Sequence, residues 1–166
     1  MDSYAVIIAA RMKSFRLPGK ALAVYCVDGT SNLAQIVNRW RTSHREPQIV
    51  VTTTFERADD PIEAECKFLE IPVSRGHPTN LVAQMDAAIN AYAPDAAYIA
   101  RGLADNPLVD VGLADWRLDT LREASADGGW YGGQEARLTY AATTDIFSRR
   151  AWDEIVAKSS GCQLEH

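Results

Sequence analysis

Short apolar runs alternate with helical patterns along this chain. Continuous apolar stretches, which are typical of strands buried on both faces of a sheet, occupy residues 4–10 and 49–54. Shorter candidates lie at 71–73 and 96–100, and a later strand is predicted over 138–147. Strands that alternate with helices in this way predict parallel βαβ units and a layered α/β fold.

Capping residues mark the first two predicted helices. Ser31 is a candidate N-cap, and residues 33, 36, 37 and 40 that follow it are apolar at helical spacing. Asp60 is the candidate N-cap of the second helix. Pro61 then takes the first helical position, and Glu63 supplies a carboxylate to the first turn.

Three further helices are predicted from periodicity. The third covers residues 81–92, and the fourth follows Asp110 as its cap with Leu113, Trp116 and Leu121 on its apolar face. Ser148 caps the last. The glycine-dense stretch 127–133 separates the fourth helix from the late strand and is predicted to be a loop.

Length and charge narrow the classes of function. A chain of 166 residues with 47% hydrophobic residues fits one globular domain. The net charge of −5 argues against a general nucleic-acid binder but not against a small phosphorylated ligand, which needs only a few cations. No apolar run approaches the roughly 20 residues of a membrane span, so no membrane partner is expected.

The cysteine pattern indicates a reducing compartment. Cys26, Cys66 and Cys162 are widely spaced and form no CxxC pair. This spacing is poor for a structural zinc site and for a disulfide framework, so we expect a cytoplasmic protein.

A basic segment follows the first predicted strand, where ligands bind in open α/β sheets. Arg11, Lys13, Arg16 and Lys20 place four cations within ten residues of an acidic protein. A guanidinium can fork onto phosphate oxygens, and a lysine supplies a movable point charge. These groups suit a triphosphate, although the segment matches neither GxxxxGK[ST] nor GxGxxG. A solvated basic loop is the alternative.

Three stretches resemble a known family. IIAARMKSFRLPGKAL, directly after the first strand, resembles the signature loop of sugar-nucleotide cytidylyltransferases, above all the branch related to spore coat polysaccharide biosynthesis protein F. The acylneuraminate and 3-deoxy-manno-octulosonate enzymes are similar at a greater distance. VVTTTFERADDPIEAECKFLEIPVSRG and YIARGLADNPLVD match further family segments in order. The resemblance covers about residues 4–152.

The resemblance implies a fold and a reaction. The fold is the three-layer α/β/α nucleotide-diphospho-sugar transferase fold, which is Rossmann-like and has a mostly parallel sheet. The reaction transfers CMP from CTP to a sugar or sugar phosphate, with Mg²⁺ as cofactor and release of pyrophosphate, for surface polysaccharide biosynthesis. Family members continue into a segment used for dimer contacts, so a homodimer is the oligomeric state that the resemblance suggests.

The domain organisation follows from the same resemblance. We expect one nucleotidyltransferase-like domain over residues 1–163, cut short at its C-terminal end relative to whole family members. Residues 164–166, Leu-Glu-His, read as the remnant of an expression tag.

The resemblance also assigns residues to the nucleotide. Arg16 and Lys20 would hold the triphosphate and neutralise the departing pyrophosphate, which is the catalytic role. The remaining nucleotide-binding candidates are Ala9, Ala10, Arg11, Ser14, Gly19, Arg75 and Gly76. Arg75 and Gly76 form an ordinary strand exit in the alternative interpretation.

Two aspartates are the metal candidates. Asp105 matches the family's magnesium-binding carboxylate, and Asp145 aligns with an acidic position on the late strand. A turn at Asp105 and a solvent-facing acid at Asp145 are the alternatives.

The chain departs from the family pattern at three places. Ala83 and Gln84 replace an Asp-Arg pair, Ala104 replaces a glycine, and residues 141–142 replace a Pro-Gly pair. These departures keep open a catalytically degenerate nucleotide-binding domain of a larger protein. A glycosyltransferase of the same fold is a further alternative, although the Asp-x-Asp metal motif of such enzymes is absent.

Overall fold

The computed structural model describes residues 3–25, 27–129 and 144–159. In these residues it contains the following elements: β1 (Tyr4–Ala9), α1 (Asn32–Trp40), β2 (Gln48–Thr54), α2 (Asp60–Phe68), β3 (Val73–Gly76), α3 (Leu81–Tyr92), β4 (Tyr98–Leu103), α4 (Val111–Glu123), β5 (Gly128–Gly129), β6 (Asp145–Ser148) and α5 (Arg149–Ser159).

The strands form one sheet in the order β3-β2-β1-β4-β6-β5. β1 pairs in parallel with both β2 and β4, and β3 extends the parallel part on the far side of β2. β6 and β5 complete the sheet as antiparallel strands. The strand order therefore reverses between β1 and β4, and their carboxyl ends open onto the crevice where such sheets bind ligands.

Helices cover both faces of the sheet. Tyr4, Val6 and Ile8 of β1 point into a core built with α1, α2 and α4. Ala5 and Ile7 point the other way, into a second core that contains Met85 and Ile89 of α3 and Trp152 of α5 among other residues. Because side chains alternate along a strand, a strand covered on both faces must be apolar throughout, as β1 is. The three-layer α/β/α fold with a mostly parallel sheet is confirmed.

Two predicted strand positions are wrong by several residues. β3 begins at Val73 rather than Ile71, because the N–H of Ile71 still donates to the carbonyl of Cys66 and closes α2. β4 runs from Tyr98 to Leu103 rather than over 96–100, since Arg101 interrupts the apolar run while its backbone stays paired with Ile7.

The glycine-dense stretch is not entirely a loop. Gly128 and Gly129 pair with Phe147 and Ile146 at the edge of the sheet. Only the portion of the predicted strand 138–147 from residue 144 onward lies within the described residues, and there the strand is Asp145–Ser148. The rest of both stretches lies outside the described residues.

Two details of the predicted helices are also wrong. The residue that precedes α2 is Asp59 and not Asp60, and the Asp59 side chain makes no capping hydrogen bond because it is engaged elsewhere. Trp116 does not lie on the buried face of α4, since it is 57% exposed while Ala114 and Leu118 are buried.

The other predicted caps are confirmed. Ser31 accepts from the N–H of Ala34 at 3.1 Å, and Asp110 accepts from the N–H of Leu113 at 2.9 Å. The N–H of Ala151 donates to Ser148 at 3.1 Å at the start of α5.

Within the described part of the chain, no helix is both long and apolar enough to cross a membrane. Cys66 is buried with a free thiol, and burial raises its pKa to about 12. The other two cysteines lie outside the described residues.

Removal of the Asp110 cap tests the start of α4. Asp110→Ala leaves the N–H of Leu113 without its acceptor, so the free energy of unfolding falls by about 1 kcal/mol in urea titrations. Glu123→Ala, which removes an exposed carboxylate at the other end of the same helix, is the control and changes stability by less than about 0.5 kcal/mol. An equal loss in both variants would contradict the capping role.

Candidate nucleotide site

The segment after β1 folds back on itself before it reaches Lys20. The N–H of Gly19 donates to the carbonyl of Met12 at 2.8 Å, which closes the loop between them. Gly19 has a φ of 76°, a left-handed conformation that residues with a Cβ adopt only under strain. The glycine in this motif is therefore needed for the turn that delivers Lys20 to the edge of the sheet.

Asp59 fastens this loop to the next strand of the sheet. Its Oδ1 accepts from the N–H of Met12 at 2.7 Å, and its Oδ2 accepts from the hydroxyl of Thr54 at the end of β2. The side chain is 1% exposed. A buried carboxylate needs hydrogen bonds to offset the loss of water, and Asp59 obtains them from the two segments it joins.

Asn32 holds the other end of the loop. This first residue of α1 is buried, and its Nδ2 donates to the carbonyl of Ala104 at 2.7 Å and to that of Lys20 at 3.3 Å. The amide thereby ties the segment after β1 to the segment after β4. The N–H of Ala104 also donates to the carbonyl of Ala9 at 2.9 Å.

Lys20 and Asp105 meet where these two segments converge. The Lys20 ammonium forms an ion pair and hydrogen bond with Oδ2 of Asp105, although the two residues are 85 positions apart in the chain. Their side chains are 22% and 39% exposed, so the pair is open to solvent on one side. Two residues that the sequence assigned to triphosphate and metal are thus neighbours.

A cavity of about 430 Å³, here called the loop cavity, opens beside this pair. Arg11 and Arg16 line it, and neither has an ion-pair partner among the described residues. Lys13 turns away and pairs with Glu56 at 2.9 Å. The full lining is Ala9, Ala10, Arg11, Ser14, Phe15, Arg16, Lys20, Ala21, Thr54, Pro78, Leu81, Gln84, Leu103, Ala104 and Asp105.

A second cavity of about 390 Å³, here called the Trp40 cavity, adjoins the first. The two share Arg16, Leu103 and Asp105 as lining residues, so this group stands at their junction. The Trp40 cavity is lined by Arg16, Ile36, Trp40, Arg101, Gly102, Leu103, Asp105, Asn106, Val109, Thr144 and Asp145.

Both metal candidates line the Trp40 cavity, and each forms an ion pair with a basic side chain. Asp105 pairs with Lys20, and Oδ2 of Asp145 lies 2.6 Å from Nη2 of Arg101. No group of three or more His, Cys, Asp or Glu side chains that could hold a metal ion occurs in ranges 3–25, 27–129 and 144–159. The acidic groups of the cavity lining, Asp105 and Asp145, are thus each paired with a basic side chain.

Arg75 and Gly76 are not among the lining residues of either cavity. The Arg75 guanidinium lies 2.8 Å from Asp60 and 2.7 Å from Glu63, and it donates to the carbonyls of Thr54 and Glu56. Hydrogen bonding to the Asp60 carboxylate raises the pKa of Arg75. Arg75 braces the end of β2, and a direct contact with nucleotide stays a prediction.

The comparison with known protein families decides the identity of this arrangement. A family model described as cytidylyltransferase matches residues 5–157. The chain belongs to the cytidylyltransferase family. The basic loop, the strand order and the ion pair described above are therefore features of a member of this family.

Two curated relatives share this sequence pattern. The spore coat polysaccharide biosynthesis protein SpsF of Bacillus subtilis is 34% identical over 134 residues, which are 78% of this chain and 52% of that protein. An uncharacterized protein of Methanocaldococcus jannaschii is 30% identical over 124 residues, or 73% of this chain and 48% of its own length. The chain thus spans about half the length of the curated relatives it matches.

Solved structures share the fold. A cytidylyltransferase from Leptospira borgpetersenii superposes with a TM-score of 0.82 at 26% identity, over 99% of this chain and 66% of that one. A CMP:2-keto-3-deoxy-manno-octonic acid synthetase complexed with CTP superposes at 0.68 over 94% of this chain and 78% of that one. Its identity of 13% supports likeness of fold alone.

Sequence reasoning missed three residues of this cytidylyltransferase-family site. Asp60 alone was assigned to the helix start, and no role was predicted for its neighbour Asp59. Asn32 is a polar residue at the buried beginning of an otherwise apolar helix face, and that position was the available signal. Trp40 was predicted only as part of the apolar face of α1, and helical periodicity does not indicate that the residue also lines a cavity.

Loss of Asp59 tests whether it fastens the loop. Asp59→Ala leaves the N–H of Met12 and the Thr54 hydroxyl without an acceptor in a buried place, so the free energy of unfolding falls by about 1–3 kcal/mol. Asp95→Ala changes an exposed aspartate before β4 and serves as the control in the same urea titration. Unchanged stability in Asp59→Ala would contradict the fastening role.

Proposed function

We propose that this chain is the catalytic domain of a cytidylyltransferase that transfers CMP from CTP to a sugar or sugar phosphate and releases pyrophosphate. The proposal rests chiefly on one observation. Lys20 and Asp105, which family resemblance assigns to triphosphate and metal, meet between two cavities at the carboxyl ends of β1 and β4.

The charges around the loop cavity suit a triphosphate. Arg11 and Arg16 line it without an ion-pair partner in the described ranges, and Lys20 has one exposed acid as its partner. A phosphate chain offers these cations several charged acceptors, and hydrogen bonds between ionised groups are stronger than neutral ones. We place the CTP phosphates against Arg16 and Lys20 for this reason.

The same cations account for the chemistry. An oxygen of the sugar or sugar phosphate attacks the α-phosphorus, the bond from that phosphorus to the β-phosphate oxygen breaks, and pyrophosphate leaves. Negative charge accumulates on the leaving group in the transition state. Arg16 and Lys20, held in place before the reaction, would lower the barrier by opposing that charge.

Asp105 and Asp145 would hold Mg²⁺ in this proposal. Both are carboxylates in the wall of one cavity, and hard oxygen donors of this kind fit magnesium, which keeps several of its waters. When bound, the ion neutralises phosphate charge and orients the reacting groups. Lys20 and Arg101 are the ion-pair partners of the two carboxylates.

The Trp40 cavity is the proposed place of the sugar acceptor. It meets the loop cavity at Arg16 and Asp105, so an acceptor there would lie next to the phosphates. Its lining combines apolar residues such as Ile36 and Val109 with the polar residues Arg101, Asn106 and Thr144, a mixture that suits a hydroxylated ring. Polysaccharide biosynthesis is the proposed pathway, by analogy with the named Bacillus relative.

Removal of the Lys20 charge tests the triphosphate site. Lys20→Ala loses a charge-assisted contact, so CTP binding measured by calorimetry weakens by about 1–3 kcal/mol. Lys67→Ala, which removes an exposed lysine at the end of α2, leaves CTP affinity as in the unaltered chain. Equal CTP affinity in both variants would exclude the loop as the triphosphate site.

The same proteins distinguish an enzyme from a binding module. Pyrophosphate release from CTP with a panel of sugars and sugar phosphates is expected for the enzyme and is lost in Lys20→Ala. CTP binding by the full-length protein without release for any acceptor favours the catalytically degenerate domain instead. Binding of a nucleotide sugar in preference to CTP favours the glycosyltransferase.

The metal proposal predicts a specific loss in Asp105→Asn. In the unaltered chain, replacing EDTA by Mg²⁺ strengthens CTP binding by about tenfold, the scale of one charge-assisted contact. Asp105→Asn loses this gain because a carboxylate ligand is gone, whereas Asp95→Asn keeps it. A full Mg²⁺ effect in Asp105→Asn would remove Asp105 from the ligand set.

A further inference from the structure

Gln84 combines a place in the lining of the loop cavity with an unused hydrogen-bond acceptor. This residue of α3 is 6% exposed and lines the cavity. Its Nε2 donates to the backbone carbonyl of His77. Because a carbonyl can only accept, this bond fixes which end of the amide is nitrogen, and Oε1 is left with no donor among the described residues.

Gln84 is held at its backbone and closely packed along its side chain. Its backbone N–H donates to the carbonyl of Asn80 at 3.1 Å, and its backbone carbonyl accepts from the hydroxyl of Thr52 at 3.3 Å. Gly76 packs against the side chain so closely that a Cβ at that position would lie 2.6 Å from Cγ of Gln84 and 3.3 Å from its Cβ. The absence of a side chain at Gly76 therefore makes room for Gln84.

Part of the lining of the loop cavity is uncharged. Arg16 and Asp105 stand at the junction with the Trp40 cavity, and the Lys20 ammonium contacts Asp105. Pro78, Leu81 and Gln84 line only the loop cavity and carry no charge. When the phosphates of a nucleoside triphosphate occupy the charged junction, these three residues are candidates to contact its flat base.

We propose that Gln84 selects the base, with Oε1 accepting a hydrogen bond from the exocyclic amine of cytosine. This inference rests on the proposed function. Uracil carries a carbonyl oxygen where cytosine carries the amine, so two acceptors would face each other and neither would be satisfied. Gly76 is a positioning residue for this contact. It was predicted as a nucleotide-binding residue, and in this proposal it acts by leaving room for Gln84 and not by touching the nucleotide.

The test compares the affinities of the full chain for CTP and UTP by calorimetry in one buffer. The unaltered chain is expected to bind CTP at least about tenfold more tightly than UTP, because UTP would leave two facing acceptors unsatisfied. Gln84→Met, of similar size but without the acceptor, weakens CTP and brings the ratio near one. Gly76→Ala, which displaces Gln84, also lowers the ratio.

Gln35→Met is the matched control. Gln35 lies on α1, its Nε2 also donates to a backbone carbonyl, that of Thr30 at 3.3 Å, and it lines neither cavity. The ratio of CTP affinity to UTP affinity in Gln35→Met is expected to equal that of the unaltered chain. A ratio in Gln84→Met as large as in this control overturns the inference.

A nucleotide analogue tests the same contact without a substitution, should Gln84→Met fail to fold. The triphosphate of pyrimidin-2-one riboside lacks the exocyclic amine and binds the unaltered chain about as weakly as UTP. Affinity equal to that of CTP overturns the inference while the proposed function stands. Loss of the proposed function shows differently, as absence of binding for both CTP and UTP.

Discussion

The site depends on one ion pair that joins two distant parts of the chain. Lys20 follows β1 and Asp105 follows β4, and they meet because these strands are neighbours with parallel directions. Their side chains are 22% and 39% exposed, so a ligand can reach both. In the proposed reaction the lysine turns to phosphate and the carboxylate to a metal, so the contact prepares both groups for a triphosphate.

The surrounding structure keeps that pair in place with buried hydrogen bonds. Asp59 binds the loop to β2, and Asn32 binds its far end to the segment of Asp105. Neither residue is in the lining of the loop cavity or of the Trp40 cavity. Such support matters for catalysis because a charge stabilises a transition state only as well as it is positioned beforehand. The charged side chains of the site are thus positioned by buried hydrogen bonds behind them.

The predictable part of this protein is the part that periodicity and local chemistry determine. Buried strands such as β1, the caps at Ser31 and Asp110, and the basic loop with Gly19 are visible in sequence because each is a short pattern. Asp59 and Asn32 act across the fold, on partners 47 and 72 positions away, and no local pattern contains such a contact. The shifted limits of β4 have the same origin, since Arg101 is polar and only the pairing with β1 places it in the strand. The late start of β3 has a local cause instead, the hydrogen bond from the N–H of Ile71 that closes α2.

The most direct measurement of the central claim is a crystal structure of the chain with CTP and Mg²⁺. The account predicts triphosphate oxygens within hydrogen-bond distance of Arg16 and Lys20, the Lys20–Asp105 contact exchanged for contacts to ligand, and the base against the wall that carries Gln84. A nucleotide bound elsewhere on the protein, with Lys20 still paired to Asp105, would contradict it.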